Sequence, residues 1–156
     1  LSLREQLHED MQKAAKERDS LALSALRMAV AAVKYREIDA VTRKELAQGA
    51  GLPDEAVVKV IATMVKQRRE AIALYVQGNR PELAAKEEGE IAVLERYLPE
   101  ALSPQELEAA VRETIAETGA GSPADMGRVM KALMPKISGR ADGKVVNETV
   151  RRLLAG

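Results

Sequence analysis

Three features of the sequence predict an all-α fold. Apolar residues make up 46% of the chain but are almost all aliphatic: Phe and Trp are absent, and Tyr35, Tyr75 and Tyr97 are the only aromatic residues. Val is present, yet nowhere do β-branched and aromatic residues alternate as a half-buried strand requires. Helix-start devices recur along the chain instead, each followed by apolar residues three and four positions apart. At 156 residues the chain is long enough for one or two domains with a real core.

Ser2 and Glu5 form a capping box ahead of Leu3, Leu7 and Met11, which predicts a short amphipathic helix ending near Asp19. A second helix is expected from Ser20 to Asp39. Leu23, Leu26, Val30 and Val33 lie on its stripe, and Ala22, Ala25, Ala29 and Ala32 allow a neighbour to approach closely. Thr42 and Glu45 form another capping box, cut short by Gly49 and Gly51. Pro53, Asp54 and Glu55 suit a first helical turn. The stripe Val57, Ile61, Met64, Val65, Ile72 and Val76 then runs to a C-cap signal at Gly78-Asn79. Pro81 opens a fourth helix with Leu83, Ile91, Leu94 and Leu98 inward, and Pro99 closes it. Residues 1–98 thus read as helical hairpins packed into a four-helix bundle-like domain.

Residues 99–156 read as a small three-helix C-terminal domain. Ser103 and Glu106 cap a helix that starts at Pro104, buries Leu107, Val111 and Ile115, and stops at Gly119. Ser122-Pro123-Ala124-Asp125 repeats the device, with Met126, Val129, Met130 and Leu133 inward until Pro135. Asp142 caps a last helix carrying Val146, Val150, Leu153 and Leu154.

The residue inventory narrows the chemistry. Without Cys there are no disulfides, thiolate metal sites or Cys nucleophile. His8 is the only imidazole, has no Asp or Ser partner in its own helix, and reads as a solvated position. Ser2, Ser103 and Ser122 are accounted for as N-caps, so no nucleophile–base arrangement is recognisable. Gly139 to Lys144 invites comparison with a phosphate-binding P-loop. The spacing of its glycines is short, Val145 stands where Ser or Thr is needed, and no strand precedes it. Glu87, Glu88 and Glu90 could suggest a metal site, but without a nearby His they read as a solvated face. No catalytic residue, metal or cofactor is expected. No apolar run is long enough to span a bilayer, and the first residues read as a capped helix and not as a signal sequence. A cytoplasmic protein is expected.

Four segments, LSALRMAVAAVKYREID, KQRREAI, EGEIAVLERYLPEALS and GSPADMGRVMKALMPKISGRADGKVVNETVRRLL, resemble successive blocks of the YqeY family. The last is the most specific, because MGRVM, LMP, GRADGK and VN occur in order at that family's spacing. The match departs between Ala40 and Pro53, where this chain carries a few extra residues. The family is related to the tail domain of GatB, the tRNA-binding subunit of glutamine-dependent aspartyl/glutamyl-tRNA amidotransferase. A similar domain is attached to a glutaminyl-tRNA synthetase as a tRNA-holding accessory. The resemblance therefore implies an N-terminal helical bundle, a three-helix tail and tRNA, an amidotransferase or an aminoacyl-tRNA synthetase as partner. Any link to carbon–nitrogen ligase activity, with glutamine as amide donor, is implied by kinship alone.

The formal net charge is zero, with 24 basic and 24 acidic residues, but the charge is divided. Glu100, Glu106, Glu108, Glu113, Glu117 and Asp125 face one base, Arg112, giving residues 100–125 a net −5. Arg128, Lys131, Lys136, Arg140, Lys144, Arg151 and Arg152 face Asp142 and Glu148, giving residues 126–156 a net +5. A basic segment with Gly-rich backbone and helix N-termini suits phosphate contacts. The candidate nucleic-acid contacts are Arg128, Lys131, Lys136, Arg140 and Lys144, with Gly139 and Gly143 offering backbone N–H groups. The lack of aromatic residues there argues for folded RNA over single-strand stacking. Alternatively, the same bases solvate helix faces and pair with the acidic helix, and the bundle surface serves as a protein-interaction adaptor. Lys66, Arg68 and Arg69 form a second basic cluster that could extend a footprint or face water.

Overall fold

The computed structural model describes residues 1–156 and is all-α, with seven α-helices and one 3-10 turn. Two compact units are present, Leu1–Leu98 and Pro99–Gly156.

In the first unit, α1 (Leu3–Glu17) starts from the reciprocal box expected of it. The Glu5 N–H donates to Ser2 Oγ at 3.2 Å, and the Ser2 N–H donates to Glu5 Oε2 at 3.1 Å. Arg18, left-handed at φ 58°, ends α1, and Asp19 caps α2 (Ser20–Thr42) by accepting from the Ala22 N–H. The face α2 buries is centred on its alanines: Ala22, Ala25 and Ala29 are buried with Leu26 and Val33, while Leu23 and Val30 are only half-buried. Such a narrow face brings helix axes close, and α1, α3 and α4 all pack on it.

The Thr42 capping box does not form. Thr42 is the last residue of α2, and its hydroxyl donates back to the Ile38 carbonyl at 2.8 Å. A hydroxyl ending one helix is no longer available to start the next. The chain turns instead at Lys44 (φ 61°) and Gly49 (φ 82°). Leu52 then plugs the core, its N–H donating to Glu37 Oε1 at 2.9 Å. Pro53 is the N-cap of α3 (Asp54–Gln77), whose Asp54 carboxylate accepts the otherwise free N–H of Leu3 at 2.9 Å. Val76 lies outside the core, at 65% exposed, because the final turn of α3 runs past the last core-packed residue, Ile72. The left-handed residue of the next turn is Asn79 (φ 55°), and α4 (Pro81–Glu95) packs back along α3.

Tyr97, just beyond α4, is buried and donates to Asp10 Oδ2 at 2.5 Å. Burial first, then this hydrogen bond and the Asp10 charge, raise the phenol well above its usual value near 10. The sign follows from linkage. A raised folded pKa contributes stability that is fully present below the unfolded value and lost as pH rises through the folded one. Tyrosinate absorbance assigned to Tyr97, as the difference between wild type and Tyr97→Phe, should therefore rise only as helical circular dichroism is lost, above pH about 10.

In the second unit, Ser103 caps α5 (Pro104–Thr118), which ends at left-handed Gly119 (φ 66°). Asp125 Oδ2 accepts from the Gly121 and Ser122 N–H groups, and the Asp125 N–H donates to the Ser122 carbonyl, which organises the 3-10 turn Pro123–Asp125 leading directly into α6 (Met126–Ile137). Pro135 does not stop α6. So near the C-terminus a proline forfeits only one hydrogen bond, whereas continuing the helix buries Ile137. Gly139 (φ 78°) makes the turn, and Asp142 caps α7 (Gly143–Ala155) by accepting from the Lys144 N–H at 2.8 Å. Leu107, Val111, Val129, Leu133, Ile137, Val146, Val150 and Leu154 form this unit's core.

Candidate nucleic-acid interface

The bases predicted to contact nucleic acid divide into those with protein partners and those without. Arg128 bridges Asp125 one turn earlier at 3.2 Å. Hydrogen bonds from Gly121 first and then Ser122, aided by the Arg128 charge, hold the Asp125 carboxyl below its usual range. Lys136 reaches across to α5, meeting Glu117 at 2.6 Å and Thr114 Oγ1 at 3.4 Å. Arg140 donates from Nε to the Glu100 carbonyl at 3.0 Å, and its own carbonyl accepts the Leu102 N–H at 2.8 Å. These bonds fasten the α6–α7 turn to the segment before α5. Arg152 bridges Glu108 on α5 at 3.3 Å, and hydrogen bonds from Arg112 and then Arg152 lower the Glu108 carboxyl. Pairing with the acidic helix is therefore real for Lys136 and Arg152.

Lys131, Lys144 and Arg151 make no ion pair and are exposed. Lys131 lies about 140° around α6 from Lys136, away from the flank that meets α5. Lys144 and Arg151 are seven residues apart, and so share one face of α7. Two acids lie near them in sequence and neither bridges them: Glu148 is exposed, and Asp142 accepts the Lys144 backbone N–H. Gly127 and Gly143 have open space where a Cβ would be, so neither is required for close packing. The structure thus leaves three exposed, unpaired cations, one on α6 and two on α7, of which Arg151 lies outside the sequence-based set.

The second basic cluster does not form one exposed patch: Lys66 is exposed and makes no ion pair, Arg68 is buried and Arg69 is paired. Arg68 is 7% exposed and Glu90 4%, with Arg68 Nε donating to Glu90 Oε2 at 3.0 Å and forming a looser ion pair with Glu87 Oε2 at 3.8 Å. Arg68 also donates to the Met64 carbonyl and to Met28 Sδ, and Arg69 bridges Glu95 at 2.5 Å. The acidic string is a solvated face only in part: Glu88 is exposed, Glu87 is half-buried, and Glu90 is buried as the counter-charge of Arg68. A signal for this pair was present: Arg68 continues the spacing of Ile61, Met64 and Val65, and Glu90 precedes buried Ile91 and Leu94.

Elsewhere, a cleft of about 550 Å³ lies between α1 and α2 over Leu7 and Val33, with His8 and Lys34 at its rim. Of its other charges, Arg4 bridges Glu37, Glu37 also holds the Leu52 N–H, and Glu9 is exposed without an ion pair. No helix is long and apolar enough to cross a membrane, and no group of three or more His, Cys, Asp or Glu is placed to hold a metal ion.

Comparison with known proteins identifies relatives. "Altered inheritance of mitochondria protein 41, mitochondrial" of Kluyveromyces lactis is 30% identical over 120 residues, covering 75% of this chain and 60% of the relative. Its Lachancea thermotolerans counterpart is 29% identical over 119 residues, with the same coverage. That of Candida glabrata is 32% identical over 94 residues, covering 60% and 48% respectively. The chain thus spans about three fifths of the first two relatives' length, and the mitochondrial location is given by their names for those proteins. A cytoplasmic location for this chain draws no support from them. The family model described as "Yqey-like protein" matches residues 4–154, nearly the whole chain, and the protein belongs to the YqeY family.

Proposed function

We propose that this chain is a non-catalytic accessory module whose C-terminal unit holds folded RNA of the tRNA class through its phosphates. The observation that carries the reading is a set of exposed, unpaired cations: Lys131 midway along α6, Lys144 in the first turn of α7 and Arg151 about two turns further along the same helix face. The resemblance to a tRNA-holding tail supplies the class of RNA, and an amidotransferase or aminoacyl-tRNA synthetase is the corresponding protein partner. Amide transfer itself would belong to that partner. Lys136, Arg140 and Arg152 shape the unit and are not the main phosphate contacts, because each already serves α5 or the segment before it. Mitochondria and cytoplasm both contain tRNA, so the reading does not depend on compartment.

Binding to bulk tRNA across a salt series tests this. In a Lys131→Ala/Lys144→Ala/Arg151→Ala variant, the log–log slope should become less negative by about 0.9 for each phosphate that is no longer neutralised. Lys136→Ala should leave the slope unchanged. Absence of binding at low salt would overturn the RNA reading, and glutamine-dependent amidation by the isolated chain would overturn the non-catalytic one.

A further inference from the structure

The solvent side of α2 is unusual for a surface helix. Leu21, Met28, Tyr35 and Ile38 are 39%, 51%, 77% and 59% exposed. Leu21, Met28 and Tyr35 follow one another at intervals of seven, and Ser24, Ala31 and Ile38 sit three residues after each. Two apolar positions per heptad is the spacing of a helix–helix seam, in which side chains from one helix enter gaps on the other. Ser24 and Ala31 supply such gaps. A helix face turned to water is ordinarily charged, yet no acid occurs from Ser20 to Arg36. The stripe is bordered instead by Arg27 and Lys34, which are exposed and make no ion pair. Met28 is held in place from below, its sulfur accepting from Arg68 Nη2 at 3.3 Å.

We infer that α2 is a docking surface for an amphipathic helix of another protein, one whose apolar seam is flanked by Asp or Glu facing Arg27 and Lys34. From Leu21 to Ile38 the seam is about 26 Å long, so the partner helix needs about five turns. A second copy of this chain fits less well. Antiparallel pairing would set Arg27 and Lys34 against the same charges of the copy. Parallel pairing would direct Lys34 to the copy's Asp39, a residue already engaged by Arg36 and Arg43. A lipid surface is also disfavoured, because it calls for a broad apolar face with many cations, and this stripe is narrow with only two. The inference concerns the first unit and stands apart from the RNA reading.

The test uses the full chain and a fluorescent synthetic helix of about 21 residues, long enough for those turns, with Leu at the seam and Glu on both flanks, alongside a Lys-flanked twin. The Glu-flanked helix should bind saturably and at least tenfold more tightly than its twin. Tyr35→Glu/Ile38→Glu should weaken that binding at least tenfold without changing helix content, since both residues are exposed. Arg27→Glu/Lys34→Glu should reverse the preference between the two helices. Equal binding of both, or binding of neither, overturns the proposal. So does a dimer in sedimentation that Tyr35→Glu abolishes, or recruitment to phosphatidylglycerol vesicles without binding of either helix.

Discussion

Glu90→Ala should lower the stability of the first unit by about 3–5 kcal/mol, among the largest effects expected of any single substitution in the chain. The cause is the charge left behind. Arg68 is 7% exposed, and losing Glu90 leaves its guanidinium beside the Met64 carbonyl, the Met28 sulfur and a Glu87 carboxylate 3.8 Å away. Neither remaining neutral partner replaces a carboxylate 3.0 Å from Nε. The thermal midpoint should fall by more than about 10 °C. High salt should change this difference little, because a buried pair is weakly screened. Arg68→Met/Glu90→Leu should recover most of the loss, since apolar residues of similar volume often replace a buried pair at no net cost. Chemical denaturation of the three proteins checks the cycle. A loss below about 1 kcal/mol for Glu90→Ala would mean that the pair behaves as a solvated one.

Local chemistry was the legible part of this fold. Ser2 with Glu5, Ser103 before Pro104 and Asp142 before Gly143 all cap helices, because a cap needs only residues two or three positions away. Thr42 shows the limit of that logic. The same motif ends a helix when the preceding turns are already helical, and only the competition with Ile38's carbonyl decides. Pro135 is a similar case, its penalty outweighed by the burial of Ile137 two residues later.

The candidate interface was less legible because charge pairing is tertiary. Glu117 and Lys136 are 19 residues apart, and Glu108 and Arg152 are 44 apart, so nothing in the basic segment itself distinguished committed bases from Lys131 and Lys144. Arg151 was passed over beside Arg152, although the two point about 100° apart around α7. Arg68 failed differently. Its place on an apolar stripe is readable, but its counter-charge, Glu90 on α4, is 22 residues away, and without that partner a charged residue there reads as a mid-helix base.

Leu133→Ala carries the second large effect, and the size of its unit determines the outcome. Leu133 is fully buried at the centre of the second unit, Pro99–Gly156. Its core partners are all aliphatic, so no ring can swing into the space vacated. Removing such a side chain costs about 2–5 kcal/mol, with the larger values where the surroundings cannot collapse. A core of this size rarely supplies more than about 3–5 kcal/mol in total, and with no Cys no disulfide reinforces it. The substitution therefore removes most or all of the unit's own stability. Hydrogen exchange should show α5, α6 and α7 losing protection together while α2, α3 and α4, which are built on a separate core, retain theirs. If protection falls equally in all helices, the two cores unfold as one cooperative system and the stability of α5–α7 is not their own. If it falls in none, the cavity is relieved by rearrangement around Val129 and Val150. A second variant, Leu133→Met, separates these cases, because it nearly conserves volume and should cost less than about 1.5 kcal/mol.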